Sequence, residues 1–303
     1  RKALKEAMAK EGSVTAEAMA TRIGATAQSL TDFVAAENDR LDIAAAVAAE
    51  LKVPLPEIEI YDFRKSGYVP EAIVNFIGLL GWNPGTKTAD GKDVEKFDLA
   101  YIGEHFTIER IGKANAKFDR AKLLSFNGDY LQGMRDDEFA GRFMAWCGEN
   151  EPEVRGRLEA LAPDVRAGLM RMARPRTKVL RDVLRIIDFA LVADHAIAYD
   201  AAAVEKSLTA SGGEGMDILR RFRAALAEVE PFDAASVHSA METFASRELP
   251  PDAKGKANLG KLAPPIRVAL TGTAVSPPLN EALAALGRER TLARIDRCLQ
   301  VVR

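Results

Sequence analysis

Residues 173–187 read ARPRTKVLRDVLRII, and their spacing fixes a period close to 3.6. Arg174, Lys178, Arg181 and Arg185 follow one another at intervals of four, three and four, which on a helix is one face. Val179, Leu180, Val183, Leu184, Ile186 and Ile187 fill the opposite face. The pattern predicts a helix over 176–197 with a buried apolar side and a cationic outer side, Arg176 lying off the stripe in its first turn behind Pro175.

The same period extends outward in both directions. Ala, Leu, Arg, Glu and Lys, strong helix formers, dominate the chain, and alternating strand-like runs are nearly absent. Downstream, helices are predicted over 200–209, 214–228, 233–247, 265–271, 277–286 and 288–301. Upstream they are predicted over 138–147, 151–161 and 163–173. Asp119 caps a further one, and Pro70 opens another whose apolar positions Ile73, Val74, Phe76, Ile77 and Leu80 imply burial on more than one side. Short helices are expected near 99–105 and 107–111, with 83–93 (NPGTKTADGKD) as a turn-rich loop. Residues 1–51 read as three or four helices broken near Gly12-Ser13 and Gly24-Ala25. VPLPEIEI (53–60) alternates, but its prolines make it an extended linker. The fold class is all-α, and no fixed-period repeat emerges.

The chain has 303 residues, 42 Lys plus Arg against 44 Asp plus Glu, three His and two Cys. Two cysteines, Cys147 and Cys298, exclude a disulfide framework or a four-cysteine zinc site and point to a reducing, cytoplasmic setting. No apolar run approaches the roughly 18 residues of a membrane span, so no membrane partner is expected. The first residue is Arg1, which leaves room for a longer parent.

The net charge of −2 conceals strong segregation. Residues 166–185 carry seven cations and one acid, and 253–303 carry nine and three, so each block is +6. The flanking blocks are acidic: 136–165 has three cations and eight acids, and 186–252 has five and twelve. A cationic stripe suits phosphate neutralisation. The competing reading is a solvated helix paired with the acidic blocks beside it. Arg174, Lys178, Arg181 and Arg185 are the candidate phosphate contacts, and the planar guanidinium of Arg176 could read a base edge. In the second block Pro264, Pro265, Pro277 and Pro278 are expected to fix turns at helix starts and to present Arg267, Ser276 and Leu279 in a set geometry.

Catalytic and metal chemistry find no footing in these residues. His105, His195 and His238 lie in unrelated segments without HxxxH or HExxH spacing, so structural or surface roles are expected and no metal ligand is assigned. SGGEG (211–215) lacks the Lys-Ser/Thr of a P-loop and reads as a helix-to-helix loop. Asn75 and Trp82 within NFIGLLGW read as core packing rather than as a ligand pocket.

Four strings in order carry a resemblance: SGYVPEAIVNFIGLLGWNPG (66–85), ERIGKANAKFDRAKLLSFNGDYL (109–131), MARPR (172–176) and APPIRVALTGTAVSPPLNEALAALGRERTLARI (263–295). Together they resemble the C-terminal half of a bacterial glutamyl-tRNA synthetase, a class I aminoacyl-tRNA synthetase, from about residue 61 to the end. No HIGH-like or KMSKS-like string occurs, so the resemblance covers the tRNA-binding part without the Rossmann catalytic domain. The implied organisation is a stem-contact helical domain (61–135) followed by two helical anticodon-binding subdomains (136–199 and 200–303), after a helical insertion of open role (1–60). By the same resemblance Arg176 reads the third anticodon base. Arg267 and the turn Ser276, Pro277 and Leu279 hold the first two, with Ser276 where Thr is common and Pro278 where Gly is common. An Arg at position 176 is similar to family members that accept glutamate tRNA and reject glutamine tRNA. The implied partner is tRNA(Glu), not DNA, and the family expectation is a monomer. ATP and Mg²⁺ belong to the parent reaction, which attaches glutamate to tRNA, and this chain alone is expected to bind neither and to be inactive in aminoacylation. A helical protein-interaction module, or a synthetase paralogue that has lost tRNA binding, is the alternative.

Overall fold

The computed structural model describes residues 2–10, 15–53, 55–112 and 117–302. They form two compact units, Arg1–Arg64 and Lys65–Arg303. The predicted break at Gly12-Ser13, Pro54 of the linker and the KANA segment of the second string lie outside the described residues.

The first unit holds α1 (Lys2–Lys10), α2 (Ala16–Arg22), α3 (Ala27–Ala35) and α4 (Leu41–Glu50). Thr15 and Thr26 cap α2 and α3 by accepting from the backbone N–H groups of Ala18 and Ser29 at 3.2 Å. Met19, Leu30 and Val47 are fully buried in a core of their own with Leu4, Phe33 and Ile43. α5 (Ile60–Ser66) spans the junction between the units.

The second unit begins with α6 (Pro70–Gly78), whose proline sits at the first helical position, where no N–H is needed. There follow α7 (Leu99–His105), α8 (Arg120–Gly133), α9 (Asp136–Asn150), α10 (Pro152–Glu159) and α11 (Pro163–Ala173). Beyond these come α12 (Asp182–Leu191), α13 (Ala201–Val204), α14 (Ala210–Ala227), α15 (Ala234–Glu248), α16 (Leu259–Thr271), α17 (Leu279–Leu286) and α18 (Arg288–Val301). The only β pairing among the described residues is two isolated bridges, Trp82 with Ile111 and Lys87 with Asp93. One continuous core runs from Val69 to Val302, centred on Phe139, Phe143, Leu169, Ile187, Phe222, Ile266 and Leu283.

Side-chain caps explain several helix starts. Asp98, Asp119, Asp200, Asp233 and Asn258 each accept a backbone N–H in the first turn of the helix that follows. Asp136, Asp137 and Glu138 open α9, where the helix dipole favours acids. α16 ends at Gly272, at φ 77°, where a Cβ would collide with the Ala198 carbonyl oxygen. SGGEG is the expected loop: Ser211, Gly212 and Gly213 all have positive φ, and regular helix resumes after them.

Three expectations need correction. The helix over 176–197 does not exist as such. Arg174–Arg176 is a 3₁₀ turn, Thr177 is extended, and α12 starts only at Asp182. Tertiary partners interrupt it. The Leu180 N–H donates to the Gly67 carbonyl at 3.0 Å, and the buried Asn127 amide donates to the Lys178 carbonyl at 2.6 Å while accepting from Val69 N–H at 2.7 Å. Asp182 then accepts from the Lys178 and Val179 N–H groups and restarts the helix. Second, Pro264 and Pro265 lie inside α16 rather than at its start. Asn258 caps the Lys261 N–H and begins the helix more than a turn earlier. Third, α6 is buried along Ala72, Asn75 and Phe76 only; Ile73, Val74 and Leu80 are half-buried and Ile77 is exposed.

Candidate nucleic-acid interface

Arg176, the residue just behind Pro175, ends the 3₁₀ turn that follows α11. Its Nη1 donates to Glu281 Oε2 and to the Met172 carbonyl, both at 2.8 Å, and its Nη2 donates to Glu281 Oε1 at 2.9 Å. The pair bridges elements 105 residues apart in sequence. Glu281 lies in the first turn of α17, and sequence reasoning passed over it because one acid near a helix start carries no separate signal.

Beside this pair opens a groove of about 600 Å³, lined among others by Arg176, Arg185, Phe189, Thr271, Val275, Ser276 and Pro277. The groove therefore gathers one residue of the predicted phosphate set and three of the predicted anticodon set. Arg267 does not line it, but its Nε donates to Ser276 Oγ at 3.1 Å and fixes that side chain. Leu279 is buried in the core, so its side chain anchors the Pro277-Pro278 turn and leaves contact with a ligand to its neighbours. The 272–278 loop is stitched from within, because Thr271 and Thr273 hydroxyls both donate to the Val275 carbonyl, at 3.0 and 3.1 Å. Val275 itself is 77% exposed at the loop tip, an apolar surface that periodicity could not single out.

The one-face arrangement of Arg174, Lys178, Arg181 and Arg185 is not found, because only Arg185 lies within α12. Arg174 serves the fold: it donates to the Gln132 and Met134 carbonyls and pairs with Asp136 at 3.1 Å. Arg181 donates to the Lys65 carbonyl at 3.1 Å. Arg171, Lys178, Arg181 and Arg185 are exposed and make no ion pair among the described residues. Cations of the second basic block meet acids of the neighbouring 186–252 block. Arg288 pairs with Glu230, Lys261 with Glu214 at 2.5 Å, and Arg290 and Arg294 with Asp194 at 2.9 and 2.7 Å. The acid-paired reading of the charge pattern is thus realised in these residues.

Arg294 is fully buried and supports one wall of the groove. Besides Asp194 it donates to the carbonyls of Phe189, Leu270 and Val192 at 2.8–2.9 Å. These include backbone acceptors at and just beyond the end of α12, where helix carbonyls lack partners of their own. Burial pushes the Asp194 carboxyl up, but hydrogen bonds from Arg290 and Arg294 outweigh it and hold the group below its ordinary range.

The remaining candidates are structural. Asn75 is fully buried and bonds Glu95 O, Phe97 N and the Tyr130 hydroxyl, while Trp82 packs edge-on against Phe97. His105 stacks on Tyr101, and His195 and His238 are exposed. Burial pushes the thiols of Cys147 and Cys298 up to about 12 and about 11, which makes both inert. Among the described residues no group of three or more His, Cys, Asp or Glu could hold a metal ion. No helix is long and apolar enough to cross a membrane.

Residues 138–299, which contain the whole groove, match the family described as "Anticodon binding domain". The chain is 35% identical over 238 residues to the glutamate–tRNA ligase of Oleidesulfovibrio alaskensis, a match spanning 78% of this chain and 46% of that protein. It is 33% identical over 255 residues to glutamate–tRNA ligase 1 of Methylorubrum extorquens, spanning 84% and 50%. A crystal structure of a glutamate tRNA ligase from Elizabethkingia meningosepticum superposes with a TM-score of 0.61 at 23% identity, covering 83% of this chain and 46% of that one, which speaks to the fold. The chain spans about half the length of the curated relatives it matches. With an all-α fold, a groove inside the matched segment and relatives of this kind, the chain belongs to the anticodon-binding domain family.

Proposed function

We propose that the chain recognises the anticodon of tRNA(Glu), as the tRNA-binding part of a glutamate–tRNA ligase whose other half activates glutamate with ATP and Mg²⁺. The observation that carries this reading is the groove joining Arg176 and Arg185 with Ser276 and Pro277, residues from segments separated by about a hundred positions that the fold brings together. A guanidinium, a hydroxyl and a proline face beside an exposed valine supply hydrogen-bond donors and flat apolar surface. Unstacked loop bases are bound by such partners. Arg171, Lys178, Arg181 and Arg185 supply the cations available to phosphates, with Arg176 at the third anticodon base and Arg267 acting through Ser276.

Within this reading 61–135 is a stem-contact domain, and 136–199 and 200–303 hold the anticodon loop. The chain works as a monomer in the cytoplasm, and by itself it positions tRNA without aminoacylating it. The test is titration of the chain with tRNA(Glu) and with an unrelated tRNA across a salt series. The expected result is a preference for tRNA(Glu) that persists while both affinities fall with salt. Equal affinities, or ATP–pyrophosphate exchange by the isolated chain, would overturn it.

A further inference from the structure

We propose that Glu281 is the positioning residue of the groove: it clamps the end of the Arg176 guanidinium and thereby leaves the Nε–Nη2 edge as a two-donor fork for a base. The inference rests on the anticodon reading above and deepens it. A guanidinium has five N–H donors in one plane. Glu281 takes one from each terminal nitrogen, and the Met172 carbonyl takes the second from Nη1. The two that remain, on Nε and Nη2, are parallel and lie on a single edge, the geometry that meets two adjacent acceptors at once.

That count selects a base. On its Watson–Crick edge cytosine offers N3 and O2 as adjacent acceptors, whereas guanine offers one acceptor and two donors, and a guanidinium has no acceptor for them. Glu281 contributes in two further ways. It cancels the charge that would otherwise draw Arg176 to any nearby phosphate, so the fork discriminates by geometry. It also stands on rigid support: the first turn of α17, where the helix dipole favours a carboxylate, two residues after the buried Leu279. The pair separates the groove from a second cavity of about 430 Å³ lined by Arg171, Phe232, Asp233 and Glu281, so rotation of an unclamped Arg176 has somewhere to go.

The experiment is a double-mutant cycle on the full chain, binding tRNA(Glu) transcripts that carry cytosine or guanine as third anticodon base. Wild type is expected to prefer cytosine by about tenfold or more. Glu281→Ala is expected to cut that preference to about threefold or less while strengthening binding of an unrelated tRNA at low salt and steepening the salt slope by about 0.7. In an Arg176→Gln background, Glu281→Ala should change the preference no further. Glu281→Gln, which keeps one acceptor, should fall between and serves as the probe if the alanine variant unfolds. If Arg176→Gln removes the preference but neither Glu281 variant alters it, this inference fails and the anticodon reading stands. If Arg176→Gln itself leaves the preference intact, both fail. An equal loss of affinity for both transcripts with a lowered unfolding temperature would mark Glu281 as merely structural and overturn the inference.

Discussion

Two arginine–carboxylate clusters, each with an arginine lining the same groove, differ in how their donors are spent. At Asp194, Arg294 is fully buried and spends four of its five donors, one on the carboxylate and three on backbone carbonyls. At Glu281 the single arginine is half-satisfied, part-exposed at 36%, and keeps two donors in reserve. Burial with nearly every donor spent makes a structural clamp, whereas partial satisfaction at a surface leaves donors available. Charge by itself separates neither, since both clusters draw their cations from blocks of the same sign and size.

The contrast breaks most visibly at Asp194. Replacing it with alanine leaves a buried guanidinium without its counter-charge, and a loss of about 3 kcal/mol is expected, at the lower end of the range for such pairs because Asp194 is itself part-exposed. Denaturant unfolding followed by helical circular dichroism reads this. Cys298, one turn beyond Arg294 on α18, should then react with a thiol reagent that leaves Cys147 untouched. Arg176→Gln should do the reverse, costing about 1–3 kcal/mol in discrimination at one base. Its stability cost should stay below about 1 kcal/mol, as for part-exposed ion pairs.

Acid titration sharpens the comparison further. Hydrogen bonding by Arg142 lowers the Glu71 carboxyl, and at Asp194 the arginine bonds prevail over burial. A carboxylate held below its unfolded pKa stabilises the fold above that value and loses the contribution as pH falls through its folded pKa. Stability should therefore decline below about pH 4, where free carboxylates begin to protonate. Asp194→Asn should flatten part of that decline when unfolding midpoints are compared between pH 6 and pH 3. The smallest effects concern the stripe that the fold dispersed. Arg185→Gln should reduce the salt slope of tRNA binding by about 0.7 with little change in stability, and Arg174→Gln should do the opposite.

The sequence made the helices legible because amphipathic spacing and caps act locally: Asp119 and Pro70 start α8 and α6 where their chemistry requires. It misled at 176–181, where an apolar and cationic period of 3.6 continued across a segment whose backbone is held by Asn127 and Gly67 from elsewhere in the unit. Periodicity reports which side chains could share a face, but distant hydrogen bonds decide whether the face forms. Arg176, Ser276 and Pro277, which the fold gathers in one groove, were singled out through the family strings. Glu281 was not, since its meaning lies in a partner 105 residues away. The separation of exposed cations that lack an acidic partner among the described residues from structural ones was also out of reach, because Arg174 and Arg185 differ only in what the fold places beside them.

The most direct measurement is the dissociation constant of the chain for a tRNA(Glu) transcript against the same transcript with guanine as third anticodon base, at one fixed ionic strength. A preference of about tenfold or more for the unaltered anticodon is expected if the groove reads that base through Arg176. Equal constants for the two transcripts would contradict a groove that reads anticodon bases.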